Sequence, residues 1–366
     1  MREKLFIFVG ICCLAAASAC GGEDQKGVTS NEDTQALKMK AMESVTVTVT
    51  SSKDGTPQKM IFYAPPEAAM DKTGAPFPLL VTLHTWSGSY EQGMGALNEA
   101  KRRKWVLVAP DYRGKNHTPQ ACASEAAIQD VLDAIGHARK SARIDESRIY
   151  LFGMSGGGHM ALMMAAKAPD LWAAVSAWVP ISDLARWHAE NVAGRLGYAG
   201  ALEEVCGGAP GKPETDREYH ARSPLFFLEA AKGLPLDINA GIHDGHKGSV
   251  PISQSLRAFN ALAVANGLKD KLVPEEDLAF MTEKEKVPPS LEKERENDPE
   301  RARAVLFRRI AGPVRITLFE GGHDGESAAA FKWFARQQKG KPVAWGPVAG
   351  DQVTSESVGE ARPVDR

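Results

Sequence analysis

The pentapeptide Gly153-Met154-Ser155-Gly156-Gly157 constrains this chain more than any other segment. An apolar run, Arg148–Phe152, precedes it and reads as a buried strand. An alanine- and methionine-rich segment, His159–Lys167, follows and reads as a helix. A strand that becomes a helix within two residues requires glycine around the turn residue, because a Cβ at either flank would clash with neighbouring strands. The turn lifts Ser155 to the carboxyl edge of a sheet, with a helix N-terminus behind it. The helix dipole there favours a developing negative charge. Ser155 is therefore a candidate nucleophile, and its placement demands strands that alternate with helices.

The rest of the chain supplies that alternation. Ser44–Thr50 and Gln58–Tyr63 read as an antiparallel hairpin closed by Asp54-Gly55. Pro78–Leu83, Trp105–Ala109, Arg148–Phe152, Ala173–Val179, Leu236–Ala240 and Val314–Glu320 are short apolar runs, suited to strands covered on both faces. Helical patterns lie between and after them at Tyr90–Lys104, Ala123–Lys140, Ile252–Ala265 and Glu326–Gln337. The expectation is one α/β domain over 44–338, with a mostly parallel central sheet, antiparallel N-terminal strands and helices on both faces. Two insertions interrupt it, 183–227 and 269–309. The second is dense in Glu, Lys and Arg and reads as a solvated helix pair, with a lid over the site as the sharper alternative. Residues 339–366 read as a tail without fixed structure. A net charge of −2 offers no basic excess for phosphates, so no nucleic-acid partner is expected.

A serine hydroxyl needs a base. Of nine histidines, His323 is the last. It follows a strand and two glycines that let a loop carry its imidazole over Ser155. In the order nucleophile, acid, histidine, the acid should follow the preceding strand, which places Asp244 in the role. Asp237 and Asp183 are weaker choices. His243, Asp244 and His246 as metal ligands is the competing reading, disfavoured because the position is already explained by the acid's role. No cofactor or metal is expected. The oxyanion donors should be the backbone N–H of Gly156 and one from the loop His84-Thr85-Trp86-Ser87-Gly88. Trp86 is preferred and Thr85 is the alternative, with His84 shaping the loop and the Trp86 indole walling an acyl pocket.

The N-terminus reads as an address. Arg2 and Lys4 precede an apolar stretch, Leu5–Ala19, that ends in small residues, the pattern of a signal peptide over 1–19. Ala17-Ser18-Ala19-Cys20 resembles a bacterial lipobox, which implies lipidation at Cys20 and a polar tether over 20–43. The expected location is an exported, membrane-anchored lipoprotein, with soluble secretion as the alternative. The membrane would be met through the lipid only. Cys122 and Cys206 then remain as an even pair in an oxidising compartment, so a disulfide is expected.

Asp111-Tyr112-Arg113-Gly114, the serine turn, Gly241-x-x-Asp244 with Val250-Pro251, and Gly321-Gly322-His323 occur in order from about Leu79 to Gln337. This series resembles the catalytic domain of the prolyl oligopeptidase family (peptidase S9) and its secreted esterase relatives, which are α/β-hydrolases. The resemblance implies a serine hydrolase with a Ser155–Asp244–His323 triad. Family peptidases carry a β-propeller ahead of this domain, and residues 20–78 are too few for even two blades. Thr85 stands where the secreted esterases, feruloyl and acetylxylan types included, have glycine. The expected function is an exported hydrolase that cleaves carboxylic esters through an acyl-Ser155 intermediate, with polysaccharide-linked esters among its substrates. The alternatives are a serine peptidase on short peptides and a non-catalytic binding lipoprotein on the same fold.

Overall fold

The computed structural model describes residues 45–70 and 72–346. The signal segment, Cys20, the tether and most of the tail lie outside these residues. Among the described residues, nine strands form one sheet in the order β1-β2-β4-β3-β5-β6-β7-β9-β8. They are β1 (Thr46–Thr50), β2 (Pro57–Tyr63), β3 (Phe77–Leu83), β4 (Val106–Pro110), β5 (Ile144–Met154), β6 (Ala174–Trp178), β7 (Leu236–Gly241), β8 (Val305–Ala311) and β9 (Val314–Phe319). Strands β4, β3, β5, β6, β7 and β9 run parallel. Strands β1 and β2 join antiparallel at one edge and β8 joins antiparallel at the other.

Neighbouring side chains on each strand go to opposite faces. Leu80, Leu107 and Tyr150 pack with α1 (Met94–Arg103) and α9 (Ser327–Phe334). Val81, Val108 and Leu151 pack with α2 (Glu125–Ser141), α3 (Gly156–Lys167) and α7 (Ser253–Ala265). Both faces are covered, so the central strands read as unbroken apolar runs rather than alternating ones. Ser124 caps α2 by accepting from the Ala127 N–H at 3.1 Å.

The insertion 183–227 folds as α4 (Leu184–Gly194), α5 (Ala199–Cys206) and α6 (Pro213–Ala221). The insertion 269–309 departs from the expected helix pair. It holds one α-helix, α8 (Glu275–Lys284), and then supplies β8 to the sheet edge. The strand was hidden because Arg308 and Arg309 interrupt its apolar pattern. Arg308 is buried, donates to Thr317 Oγ1 at 3.1 Å and pairs with Glu296 and Asp298 at 2.8 Å each. Arg301 lies over the Trp178 ring at 5.1 Å, and burial pushes its pKa down to about 10. Charges that read as solvated are thus ion-paired against the core. The start of the tail is also packed: Trp345 stacks on Trp333 at 5.3 Å, and Lys339 N–H donates to the Ser147 carbonyl at 2.9 Å.

The expected Cys122–Cys206 disulfide is not formed. Both thiols are free and sit in a buried apolar cluster with Trp86, Trp187 and Leu202. They pack as small hydrophobes. Burial pushes both thiol pKa values up, that of Cys206 to about 12. No helix among the described residues is long and apolar enough to cross a membrane.

Candidate active site

Strand β5 delivers Ser155 to the carboxyl edge of the sheet. The serine backbone is forced to φ +56° and ψ −121°, a region that side chains other than glycine rarely occupy. The glycines make this turn possible by close approach. A Cβ at Gly153 would overlap the Gly157 carbonyl, and a Cβ at Gly156 would come within 2.5 Å of the Trp86 backbone nitrogen. The triple glycine also starts α3 directly after Ser155, earlier than its apolar residues suggest.

Residues 168 apart in the chain meet at this edge: His323 Nε2 lies 2.8 Å from Ser155 Oγ. His323 Nδ1 lies 2.7 Å from Asp244 Oδ2. The other Asp244 oxygen accepts from the Gly245 N–H at 2.9 Å and the Val250 N–H at 3.1 Å. Asp244 is buried while the His323 side chain is about one-fifth exposed. Acid and base loops are pressed together, since a Cβ at Gly248 would strike both Asp244 Oδ1 and the His323 Cβ. Sequence reasoning did not single out Gly248. The signal was a glycine between the acid and the Val250-Pro251 pair.

The weaker acid choices have other tasks. Asp237 is buried and accepts from Arg315 Nε at 2.7 Å, with Arg301 at 3.7 Å. Burial alone would raise its pKa, but the two guanidinium groups pull it below the usual carboxylate range. Asp183 caps α4 by accepting from the Arg186 N–H at 3.0 Å. The residues of the metal reading diverge: His243 places its two ring nitrogens 2.8 Å from Glu285 and 2.7 Å from Glu320, and His246 Nε2 faces the Thr282 carbonyl at 2.8 Å. Among the described residues, no cluster of three or more His, Cys, Asp or Glu converges on a point.

In the loop after β3 the two oxyanion choices differ in their backbone bonding. The Thr85 N–H is consumed by Gln92 Oε1 at 2.8 Å, and Gln92 Nε2 donates back to Thr85 Oγ1 at 3.1 Å. The N–H groups of Trp86 and Gly156 find no acceptor among the described residues and lie side by side. His84 is buried, stacks on Tyr112 at 4.0 Å, and sets both ring nitrogens 2.8 Å from carbonyls, those of Thr85 and Asp111. Gln92 was not foreseen, because it lies on the next helical turn and acts only through folding of the loop. Trp187 and Tyr198, from the first insertion, were also missed. Trp187 meets the Trp86 indole edge-on at 4.9 Å and donates from Nε1 to the Ser249 carbonyl at 2.7 Å. Tyr198 lies 5.0 Å from Trp187. The three rings pack against one another.

The profile of the prolyl oligopeptidase family, Peptidase_S9, matches residues 100–284. This chain belongs to the prolyl oligopeptidase family. Its sheet order and serine turn are those of an α/β-hydrolase. The matched span includes Ser155 and Asp244 and ends before His323. Similar solved structures include the uncomplexed acylaminoacyl peptidase of Pyrococcus horikoshii, 20% identical over 60% of this chain and 34% of that one, with a TM-score of 0.45. An acylaminoacyl peptidase in complex with Z-Gly-Gly-Phe-chloromethyl ketone is 18% identical over 79% of this chain and 39% of that one, TM-score 0.49. The fluorophosphonate-binding serine hydrolase FphF of Staphylococcus aureus is 19% identical over 55% of this chain and 79% of that one, TM-score 0.43. This chain thus spans between a third and two-fifths of the length of the two acylaminoacyl peptidases. No curated protein matches it.

Proposed function

We propose that the protein is an exported hydrolase of carboxylic esters that works through an acyl-Ser155 intermediate. The observation that carries this reading is the continuous relay Ser155–His323–Asp244, with separations of 2.8 and 2.7 Å, beside two free N–H donors. Ser155 Oγ attacks the ester carbonyl carbon while its proton passes to His323 Nε2. Asp244 holds the Nδ1 proton and stabilises the imidazolium that forms. The carbonyl oxygen becomes an oxyanion between the Trp86 and Gly156 N–H groups. The imidazolium then protonates the departing alcohol oxygen, the C–O bond breaks, and the acyl group stays on Ser155. Water, deprotonated by His323, repeats the addition and releases the acid.

The export part rests on the signal pattern of residues 1–19 and on Cys20 as its lipidation site. Polysaccharide-linked esters are one substrate class for such a location. A second reading, a serine peptidase on short peptides, is favoured by the family itself. Amide cleavage uses the same parts but asks more of His323 as acid, because an amine leaves less readily than an alcohol. Purified protein assayed on short p-nitrophenyl esters and on aminoacyl- and prolyl-anilides separates the two. Ester turnover with Ser155 labelled by a fluorophosphonate, both abolished in Ser155→Ala, is the expected result. Anilide turnover far above ester turnover favours the peptidase. No labelling of folded protein points to the non-catalytic binding lipoprotein.

A further inference from the structure

The insertion 183–227 reaches the reactive residues through Trp187. This residue lies on α4 and is buried. Its indole N–H donates to the Ser249 carbonyl at 2.7 Å. That carbonyl belongs to the same peptide group as the Val250 N–H, which donates to Asp244 Oδ1 at 3.1 Å. The other oxygen of Asp244 faces His323 Nδ1 at 2.7 Å, and His323 Nε2 faces Ser155 Oγ at 2.8 Å. One unbroken hydrogen-bonded chain thus runs from the insertion to the nucleophile. The same indole meets the Trp86 ring edge-on at 4.9 Å, and the Trp86 backbone lies against Gly156. Trp187 therefore touches both the loop that carries the acid and the residue preferred as oxyanion donor.

We propose that Trp187 is a positioning residue for the hydrolytic reaction: its N–H holds and polarises the Ser249–Val250 peptide that anchors Asp244, and its ring braces Trp86. The inference rests on the hydrolase reading above and adds a working part to it. A peptide whose carbonyl accepts a hydrogen bond becomes a stronger donor at its own N–H, so the bond to the carboxylate tightens. A carboxylate held at both oxygens keeps the orientation that His323 requires. The helix that carries Trp187 is itself fixed. Asp183 caps its first turn, and Gln254 Oε1 accepts from the Ser182 and Asp183 N–H groups at 3.0 and 2.9 Å. Glu190, one turn beyond the indole, accepts from Ser253 Oγ at 3.0 Å and from Gln254 Nε2 at 2.9 Å. Trp187 is thus tied to α7, which begins at Ser253 directly beyond the acid loop.

Two substitutions separate the contacts of the indole. Trp187→Phe keeps a ring against Trp86 and removes the donor. Trp187→His removes the six-membered ring but overlays its Nε2–H on the indole Nε1–H, since each nitrogen stands two bonds from Cγ in a five-membered ring. The measurements are kcat and KM on p-nitrophenyl acetate, read beside thermal melts. Trp187→Phe should lower kcat about fivefold to tenfold with KM little changed. Trp187→His should melt below Trp187→Phe, because it buries less, and yet keep the higher kcat. A merely structural Trp187 gives the opposite order, with activity following stability, and that result overturns the proposal. In an Asp244→Asn background, Trp187→Phe should cost about twofold or less, since the charge it helps to hold is gone. The full loss in that background also overturns the proposal. Where a variant does not fold, hydrogen exchange of the native protein decides. The Trp187 indole proton and the Val250 amide should both exchange slowly, and loss of either within seconds sinks the role. Fluorophosphonate labelling separates the levels. A labelled Ser155 with unchanged kcat in Trp187→Phe removes only the role of Trp187, whereas an unlabelled native serine removes the hydrolase reading and this role with it.

Discussion

Replacing Asp244 by Asn isolates the electrostatic part of the relay from its framework. The native carboxylate receives His323 Nδ1 at 2.7 Å through one oxygen and the Gly245 and Val250 N–H groups through the other. The amide keeps an oxygen for those two backbone donors, so the loop retains its anchor. Its NH2 group faces Nδ1 instead, which forces the proton onto Nε2 and leaves Ser155 without a base. The imidazolium also loses its counter-charge. At 2.7 Å and an effective dielectric constant of about 20, that attraction is about 6 kcal/mol, or roughly four decades in rate. The expected result is a fall in kcat of about 10³–10⁴ with KM little changed. Loss of one charge-assisted bond should cost about 1 kcal/mol of stability, a melting shift of only a few degrees. Burst kinetics with p-nitrophenyl acetate and a thermal melt measure both. A loss of tenfold or less in a variant that melts normally would refute the role given to Asp244.

Three further perturbations address the framework. Gln92→Ala removes both bonds to Thr85 and frees the loop that carries the Trp86 N–H, so kcat should fall about tenfold with KM nearly constant; an unchanged kcat would detach Gln92 from the oxyanion donors. Ser155→Gly should abolish turnover yet raise stability by about 1 kcal/mol in urea melts, because glycine relieves the positive φ at a smaller entropic cost. His159 is buried with its pKa lowered to about 4, chiefly by desolvation. The unfolded chain, with an ordinary value near 6.5, binds the proton first, so stability is full above that pH and falls as pH drops toward 4. About 2 kcal/mol should be lost between pH 7 and 5, and a His159→Gln variant should lose that much less.

The fold and the three reactive residues were legible to different depths. Ser155 was evident because strand, glycine turn and helix are consecutive, and each declares itself within a few residues. His323 and Asp244 were reached by chain order, since each follows a strand and sits among glycines. Gln92, Gly248, Trp187 and Tyr198 carried no such mark. Gln92 acts on a residue seven positions away, and the aromatic pair belongs to an insertion whose own pattern is an ordinary amphipathic helix. Strand β8 was concealed by arginines whose partners, Glu294, Glu296 and Asp298, convert a charged stretch into a packed edge. The cysteines misled because an even count says nothing about where the fold places the two thiols.

What the linear chain determined by itself is periodicity and turn chemistry: the parallel α/β layering, the strained serine, and a candidate set for its partners. These depend on neighbours within one strand, one helix turn or one tight bend, where sterics act over a few bonds. Tertiary structure alone decided which N–H is free and which is taken, and which carboxylates hold arginines. Those outcomes depend on groups tens to hundreds of residues apart, whose approach is set by how the layers pack.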